Sequence, residues 1–381
     1  MLLGQVFERF VKESPVSVMV RGLLEKALSP KILDELFERS AKTQYTRELL
    51  FSTIVNLMSL VVCGVYPSVH AAHQASSEEI RVSVTSVYNK INGIEPSICQ
   101  ELVREVAGQM EATIRHLNAT IPDLLPGYRV KIIDGNAIAA SEHRLKALRQ
   151  VNSAPLPGQS LVVLDPSLML AVDVFPCEDG HAQERSLFNQ VLPSVEEEDV
   201  WIADRNFCTL KFLLGISAQK GYFIIREHQC LPWHATDDFR LLGEVDSGQV
   251  FEQNILLDGD DGQLLRVRRI KVCLKQPNRD GDQEIFILTN LQSDVAKALL
   301  VAELYRKRWK LETLFQVLTE TLCCEIKTLG YPKAALFTFC IALVAYNVLS
   351  VVKAALRCVH GSEKIETEIS GYYLADQGKR I

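Results

Sequence analysis

Three acidic residues in this sequence stand in settings that suit metal-assisted chemistry. Asp134 follows the apolar run VKII and Asp204 follows VWIA, so each acid comes directly after a predicted strand. Glu312 is the single acid in the basic and aromatic stretch YRKRWKLETLF, residues 305–315. An acid at a strand end is either a turn or helix cap or a ligand in a cleft. Two matching strand-then-acid settings, with a third acid on a predicted helix, favour the ligand interpretation.

A cluster of these three acids would need cations. Carboxylates within about 4–6 Å of one another repel and raise one another's pKa values. Oxygen ligands at this density suit Mg²⁺ or Mn²⁺. Two such ions can activate a water or a 3′-hydroxyl and stabilise the leaving oxygen in phosphodiester displacement. The pattern predicts that Asp134, Asp204 and Glu312 form a two-ion site.

The stretch around Glu312 also suits the binding of a polyanion. In a continuous helix, Tyr305, Arg308 and Glu312 lie within about 60° of arc. An Arg308–Glu312 salt bridge is the simpler explanation of two of them, and it contributes only ~0.3–0.5 kcal/mol. Burial does not explain this face, because it would bury two charges. The basic residues beside Glu312 would instead hold a phosphate backbone.

Composition bounds the alternatives. The chain has 381 residues, a net charge of −6 and a pI near 5.8, so any nucleic-acid site must be a local basic patch. Ten scattered cysteines show neither zinc-binding spacing nor a disulfide framework. The N-terminus lacks the apolar core of a signal peptide, which predicts a reduced, cytoplasmic protein. The apolar stretch at 334–352 is interrupted by polar residues, so we expect a buried core helix and no membrane span.

The order of predicted elements places the acids in a mixed α/β fold. Helical periodicity runs from residue 1 to about 125, where two helices joined by NGIEP fit either a helix-turn-helix DNA reader or a plain bundle. Three strands, a helix and a strand-helix-strand unit follow at 126–228 and predict a mixed sheet. Alternating residues between Asp-Gly turns predict a small antiparallel β insertion at 229–290.

One long helix is predicted to carry Glu312. It begins at Ser293, the expected N-cap, and runs to about Cys324. The apolar helix at 334–352 follows it.

Weaker candidates remain open. Asp173 is either a fourth cleft acid or a solvent-facing strand residue. His181, Glu184 and Arg185 either face the cleft or belong to a helix surface. Trp233 is either a packed core residue or an aromatic that stacks on a base drawn out of the duplex.

At these residues the sequence resembles the bacterial insertion-sequence DDE transposases. The resemblance is to the group of the insertion-sequence-four type, whose third acid lies in a Y-R-E-K signature helix. IDG around Asp134 and ADRNF around Asp204 match the group's motifs for its first two acids. Tyr305-x2-Arg308-x3-Glu312 matches the signature helix, and the β insertion before it also belongs to the group. The resemblance covers roughly residues 45 to 355.

The resemblance implies a ribonuclease-H-like catalytic core that binds two Mg²⁺ ions, with Mn²⁺ as an alternative. It assigns Asp134, Asp204 and Glu312 to catalysis and metal binding. It places Tyr305 and Arg308 against the DNA backbone. The implied activity is DNA cleavage and strand transfer at terminal inverted repeats. The implied partners are those repeats, target DNA and a second copy of the chain in a homodimer.

Lys307 and Trp233 complete the predicted DNA-binding residues. Lys307 lies among the basic residues beside Glu312, and Trp233 lies near the start of the insertion.

The predicted organisation has five parts. A helical N-terminal domain, a candidate for DNA binding, covers 1–125. The catalytic core covers 126–228 and 291–355, and the β insertion at 229–290 separates its two parts. The tail at 356–381 stops at what looks like the start of another element, so we expect a truncated copy.

One departure from the signature affects the expected activity. The signature's Lys falls seven residues after Glu312, where this chain has Thr319. Position 319 keeps the helix face and loses a phosphate-binding charge, so we expect weaker DNA contact. The alternative functions are an inactive or transposase-derived DNA-binding protein and a stand-alone magnesium-dependent nuclease of the same fold.

Overall fold

The computed structural model describes residues 14–44, 48–138, 158–259, 262, 264–278, 281–326 and 328–369. The predicted end of the tail, 370–381, lies outside this range. The described part of the chain folds as a mixed sheet flanked by helices, with a helical N-terminal region before it, which confirms the predicted fold class. The helices are α1 Pro15–Ala27, α2 Pro30–Ser40, α3 Phe51–Val62, α4 Val69–Ala75, α5 Val84–Gly93, α6 Pro96–His116, α7 Phe188–Val191, α8 Leu210–Ala218, α9 Ala298–Arg306, α10 Trp309–Glu320, α11 Pro332–His360 and α12 Ser362–Glu368.

Within the described residues, ten strands form one continuous sheet. They are β1 Arg129–Ala137, β2 Gln159–Asp165, β3 Leu170–Cys177, β4 Asp199–Ala203, β5 Tyr222–Arg226, β6 His234–Ala235, β7 Arg240–Val245, β8 Gly248–Asp258, β9 Leu264–Leu274 and β10 Glu284–Thr289. The strand order is β3-β2-β1-β4-β5-β10-β9-β8-β6, and β7 pairs with β8. Only β1, β4 and β5 run parallel to their neighbours in this order. The antiparallel pairing of β3, β2 and β1 beside the parallel pairing of β1, β4 and β5 makes the sheet mixed, as predicted.

The predicted β insertion is an extension of this sheet. β10 pairs antiparallel with β5, so β6 to β10 are joined to β1, β4 and β5 through backbone hydrogen bonds. β8 and β9 pair over their full lengths, as the alternating sequence and the Asp-Gly turns predict.

The apolar helix α11 lies at the centre of the helical layer. Its most apolar 18-residue window is long enough to cross a membrane, yet every residue of that window is buried inside the protein. α11 packs against α3, α6 and β3. The buried Asn347 side chain donates to the Ala171 carbonyl at 2.9 Å and accepts from its amide at 2.8 Å, where the pairing of β2 and β3 is irregular. The expected core helix is therefore confirmed, and its polar residue satisfies backbone groups that the sheet leaves unpaired.

The predicted single helix from Ser293 to Cys324 is wrong. The chain forms two helices, α9 and α10, which are separated at Lys307 and Arg308. There the backbone turns tightly, because the amide of Arg308 bonds to the carbonyl of Tyr305 and the amide of Leu311 bonds to that of Arg308. These bonds span three residues instead of four, and they turn Arg308 toward the sheet.

A buried arginine ties the insertion to α9. Arg268 on β9 makes two bonds to the Glu252 carboxylate, at 2.9 and 3.0 Å, and donates to the carbonyls of Leu291 and Ala296. Both charged side chains are at most 9 % exposed. The carbonyls belong to the segment that leads into α9, so this ion pair fixes where α9 begins.

Replacing this arginine should destabilise the protein. In Arg268→Met, Glu252 stays buried without its partner, so we expect a loss of about 3–5 kcal/mol in the free energy of unfolding. Urea denaturation of the variant measures this loss. Arg266→Met, which replaces an exposed arginine of the same strand, should change the value by less than about 0.5 kcal/mol. Equal effects of the two substitutions would contradict the assigned role of Arg268.

Candidate active site

Asp134 lies where two kinds of strand pairing meet. Parallel pairing between β1 and β4 ends at Ile132, whose partner is Ile202. The prediction that the strand ends at Asp134 is wrong, because β1 continues to Ala137 through antiparallel pairs with β2, including Asp134 with Val162. Beyond Ile132, β1 continues to pair with β2 but no longer with β4. The side of β1 that faces β4 is therefore released from strand pairing beside Asp134.

Asp204 follows the end of β4, as predicted. Its carboxylate accepts a bond of 2.7 Å from the Asn206 amide and so caps the short 3₁₀ helix Arg205–Phe207. Because β1 and β4 are parallel neighbours, the two aspartates lie at the same edge of the sheet. Asp204 raises the pKa of Asp134, which indicates that the two charges are close.

Arg308 joins the third acid to the first. Its guanidinium donates to Asp134 at 2.7 Å and to Glu312 at 2.8 Å. The side chains of Asp134 and Arg308 are 17 % and 16 % exposed, and that of Glu312 is 35 % exposed. The simpler explanation, an Arg308–Glu312 ion pair, is correct as far as it goes. The same guanidinium also donates to Asp134, 174 positions earlier, which places Glu312 near Asp134.

The charges of this cluster affect one another. The pKa of Asp134 is raised to about 6: burial is the largest cause, Arg308 opposes it, and the charges of Asp204 and Glu312 add to it. Burial likewise raises the pKa of Glu184 to about 7, with added repulsion from Asp204 and Asp134. Glu184 is thus a fourth acid of the site.

Glu184 lies on the short 3₁₀ helix Glu184–Leu187, directly over Gly135. A β-carbon at position 135 would meet the Glu184 carboxyl carbon at 2.8 Å, so the glycine leaves room for this side chain. The side chain of Asn206 hydrogen-bonds to Glu184. The Oε2 atom of Glu184 is buried and has no hydrogen-bond partner in the described protein. Sequence reasoning left Glu184 undecided, and the glycine after Asp134 was the one signal that another group approaches there.

The other undecided residues lie in three different environments. Asp173 accepts two bonds of 2.8 Å from Arg104 of α6, which explains its burial by an ion pair. Arg185 donates to the Asn206 carbonyl at 3.2 Å, beside the acids. His181 is exposed.

The donor chemistry of the site suits a hard divalent cation. Asp134, Asp204 and Glu312 supply carboxylate oxygens. The pKa of Asp134 is raised by burial and, to a smaller extent, by the charges of Asp204 and Glu312, and a cation would oppose both effects. Their present arrangement is not a closed ligand set. Among the described residues, no three Asp, Glu, His or Cys side chains converge closely enough to hold one ion. Arg308 supplies the positive charge between Asp134 and Glu312 instead.

The residues predicted to contact DNA lie in different environments. Lys307 is exposed at the break between α9 and α10. Tyr305 is partly buried beside Arg308, and burial raises the pKa of its phenol. Trp233 is half-buried and packs on the core, where it donates to Glu227 at 2.7 Å and lies 4.5 Å below the Arg269 guanidinium. These contacts favour the packed position for Trp233, and its stacking on DNA stays a prediction.

A family model described as the transposase DDE domain matches residues 126–348, which is more than half of the chain. The chain belongs to this family of DDE transposases. The matched range includes all four acids of the site and the β insertion between the second and third acids of the signature. Membership in the Y-R-E-K group stays a prediction.

The solved structures similar to this DDE transposase include a piggyBac transposase synaptic complex with hairpin DNA. The alignment covers 94 % of this chain and 79 % of the piggyBac chain, at 9 % sequence identity and a TM-score of 0.44. A comparison with curated proteins gives no match.

The stability of the transposase should depend on pH through Glu184. Its pKa is about 7 in the folded protein against an ordinary 4.5, so folding binds a proton. Such a group lowers the free energy of unfolding progressively as pH rises above 4.5, and this loss becomes constant above about pH 7. After allowance for solvent screening, Glu184→Gln should therefore be more stable than the wild type above pH 7 by on the order of 1 kcal/mol.

Urea denaturation in a chelating buffer at a series of pH values measures this difference. The two proteins should converge below about pH 4, where both side chains are neutral. The matched control is Glu178→Gln, an exposed glutamate of the preceding loop, which should follow the wild type throughout. A difference between wild type and Glu184→Gln that does not change with pH would refute the account.

Proposed function

We propose that this protein is the transposase of an insertion sequence, which cleaves DNA at the terminal inverted repeats of its element and joins the freed ends to target DNA. The observation that carries the proposal is the Arg308 bridge between Asp134 and Glu312, at the sheet edge that also carries Asp204, in a chain of the DDE family. We further propose that it acts as a homodimer on two element ends.

Asp134, Asp204 and Glu312 would hold Mg²⁺ or Mn²⁺ in this role. Bound ions would supply the activation of the attacking water or 3′-hydroxyl and the stabilisation of the leaving oxygen. The protein's own residues would position the DNA. Arg308 and the neighbouring Lys307, which is exposed, would hold phosphates. Tyr305 would steady Arg308, to which it is hydrogen-bonded.

A cleavage assay on the element's own ends tests this function. Purified protein is incubated with a duplex that carries the flanking inverted repeat, with Mg²⁺ and with a target plasmid. We expect nicking at the repeat boundary and joining to the plasmid, and we expect Asp204→Asn to abolish both. Cleavage that persists in Asp204→Asn would remove that residue from the mechanism. Cleavage without joining would favour the stand-alone nuclease.

An inactive remnant is the second candidate, and Thr319 is the observation that favours it. Thr319 is exposed on α10, where its hydroxyl donates to the Phe315 carbonyl at 3.0 Å. It lies seven residues after Glu312 and so on nearly the same face of the helix. Equal inactivity of the wild type and Asp204→Asn on element ends would support this candidate.

Restoring a cation at position 319 should strengthen DNA binding. Thr319→Lys would add one phosphate contact, so we expect roughly two- to fivefold higher affinity and a salt dependence steeper by about 0.9 in log–log slope. Fluorescence anisotropy of a labelled duplex at several salt concentrations measures both. Thr313→Lys adds the same charge about 120° away around α10 and should have a smaller effect. Equal responses would mean that this face of the helix does not meet DNA.

A further inference from the structure

Arg308 has an unusual position for a residue expected to grip DNA. Its side chain is 16 % exposed and points into the acid cluster, where each of its two terminal nitrogens bonds to a different carboxylate. The carboxylates belong to distant parts of the chain, β1 and α10. The guanidinium therefore joins the first and third acids of the signature directly.

The charge balance around Arg308 explains this arrangement. Asp134, Asp204, Glu184 and Glu312 are close enough for their charges to raise pKa values within the group. Like charges at a low-dielectric site repel strongly, and a bridging guanidinium offsets that repulsion through charge-assisted hydrogen bonds. Arg308 does for Asp134 and Glu312 what a bound cation would do.

We propose that Arg308 is an internal counter-ion which occupies Asp134 and Glu312 until a DNA phosphate draws it away, so that DNA binding and divalent-ion binding strengthen each other. The inference rests on the proposed function, because it takes Asp134 and Glu312 as ion ligands. It assigns to Arg308 a positioning role beyond contact with the backbone.

The competition follows from the chemistry of the groups. A guanidinium binds a phosphate through two parallel bonds as readily as it binds carboxylates. A divalent ion and Arg308 compete for Asp134 and Glu312. The ion would be coordinated by the carboxylate oxygens to which Arg308 now donates its hydrogen bonds. A phosphate that binds Arg308 releases these oxygens. Thermodynamic linkage then requires that the ion raise DNA affinity by the same factor by which DNA raises ion affinity.

The first test measures ion binding without DNA and without any reaction. Mn²⁺ is titrated into the full chain by calorimetry, and free Mn²⁺ is followed by electron paramagnetic resonance. Arg308→Gln should bind Mn²⁺ more tightly than the wild type by on the order of tenfold. Arg308→Lys, which keeps the charge and loses the two-armed geometry, should fall between them.

Two controls separate this effect from the general loss of a positive charge. Arg306→Gln removes the same charge two residues earlier, from a side chain that is 51 % exposed and faces Asp246 at 3.7 Å. It should leave Mn²⁺ affinity within about twofold of the wild type. Adding Asp134→Asn to Arg308→Gln should abolish the gain, because the released carboxylate is then absent. Near-ultraviolet circular dichroism confirms that each variant is folded, and Arg308→Lys carries the test should Arg308→Gln fail to fold.

The second test measures the coupling. The affinity for a labelled 30-base-pair duplex is measured at constant ionic strength with and without Mn²⁺. The ion should raise the affinity of the wild type relative to that of Arg308→Gln, in which no counter-ion has to leave. An identical response of both proteins would overturn the coupling.

The outcomes distinguish the inference from the proposed function. Equal Mn²⁺ affinity of wild type and Arg308→Gln overturns the counter-ion role, even when the wild type cleaves element ends. Tighter binding by Arg308→Gln supports the role, even when no cleavage occurs and the proposed function fails. Absence of Mn²⁺ binding in both proteins rejects the counter-ion role and the ion ligands together.

Discussion

The partial burial of carboxylates that also repel one another is the constraint around which the site is built. Parallel pairing of β1 with β4 brings Asp134 and Asp204 to one edge of the sheet, and the hydrogen-bonded strands allow neither to move apart. Glu184 adds a further charge above Gly135. The sheet is held by many backbone hydrogen bonds, so the strands do not separate to relieve the unfavourable charges. Their effect appears instead as raised pKa values of Asp134 and Glu184. Such storage of unfavourable energy at a site is common where a ligand later relieves it.

Much of the fold followed from sequence patterns that act over short distances. The strand before Asp204, the antiparallel insertion and the core helix α11 each have periodicity or turn residues that belong to the segment itself. The break between α9 and α10 has no such local cause. Neither glycine nor proline lies between 293 and 324. Local propensity therefore favours one continuous helix, and the turn at Arg308 depends on a partner 174 residues away.

The candidate site, like the fold, could be predicted only where the signal is local in the sequence. Asp134, Asp204 and Glu312 could be selected because each has a distinctive neighbourhood in the sequence. Glu184 could not, because its approach to Gly135 depends on how the segment between β3 and β4 crosses the sheet edge. The extension of β1 to Ala137 depends likewise on β2, which lies more than twenty residues later. Tertiary pairing decided both, and no local pattern encodes it.

The packing of α11 against the N-terminal helices has a consequence for how the protein is made. α3 and α6 emerge from the ribosome long before residues 332–360, yet each packs part of its apolar face against that last long helix. The nascent chain must therefore carry exposed hydrophobic surface through most of its synthesis. We therefore expect that chaperones protect the chain during translation and that the core closes late, in one concerted step.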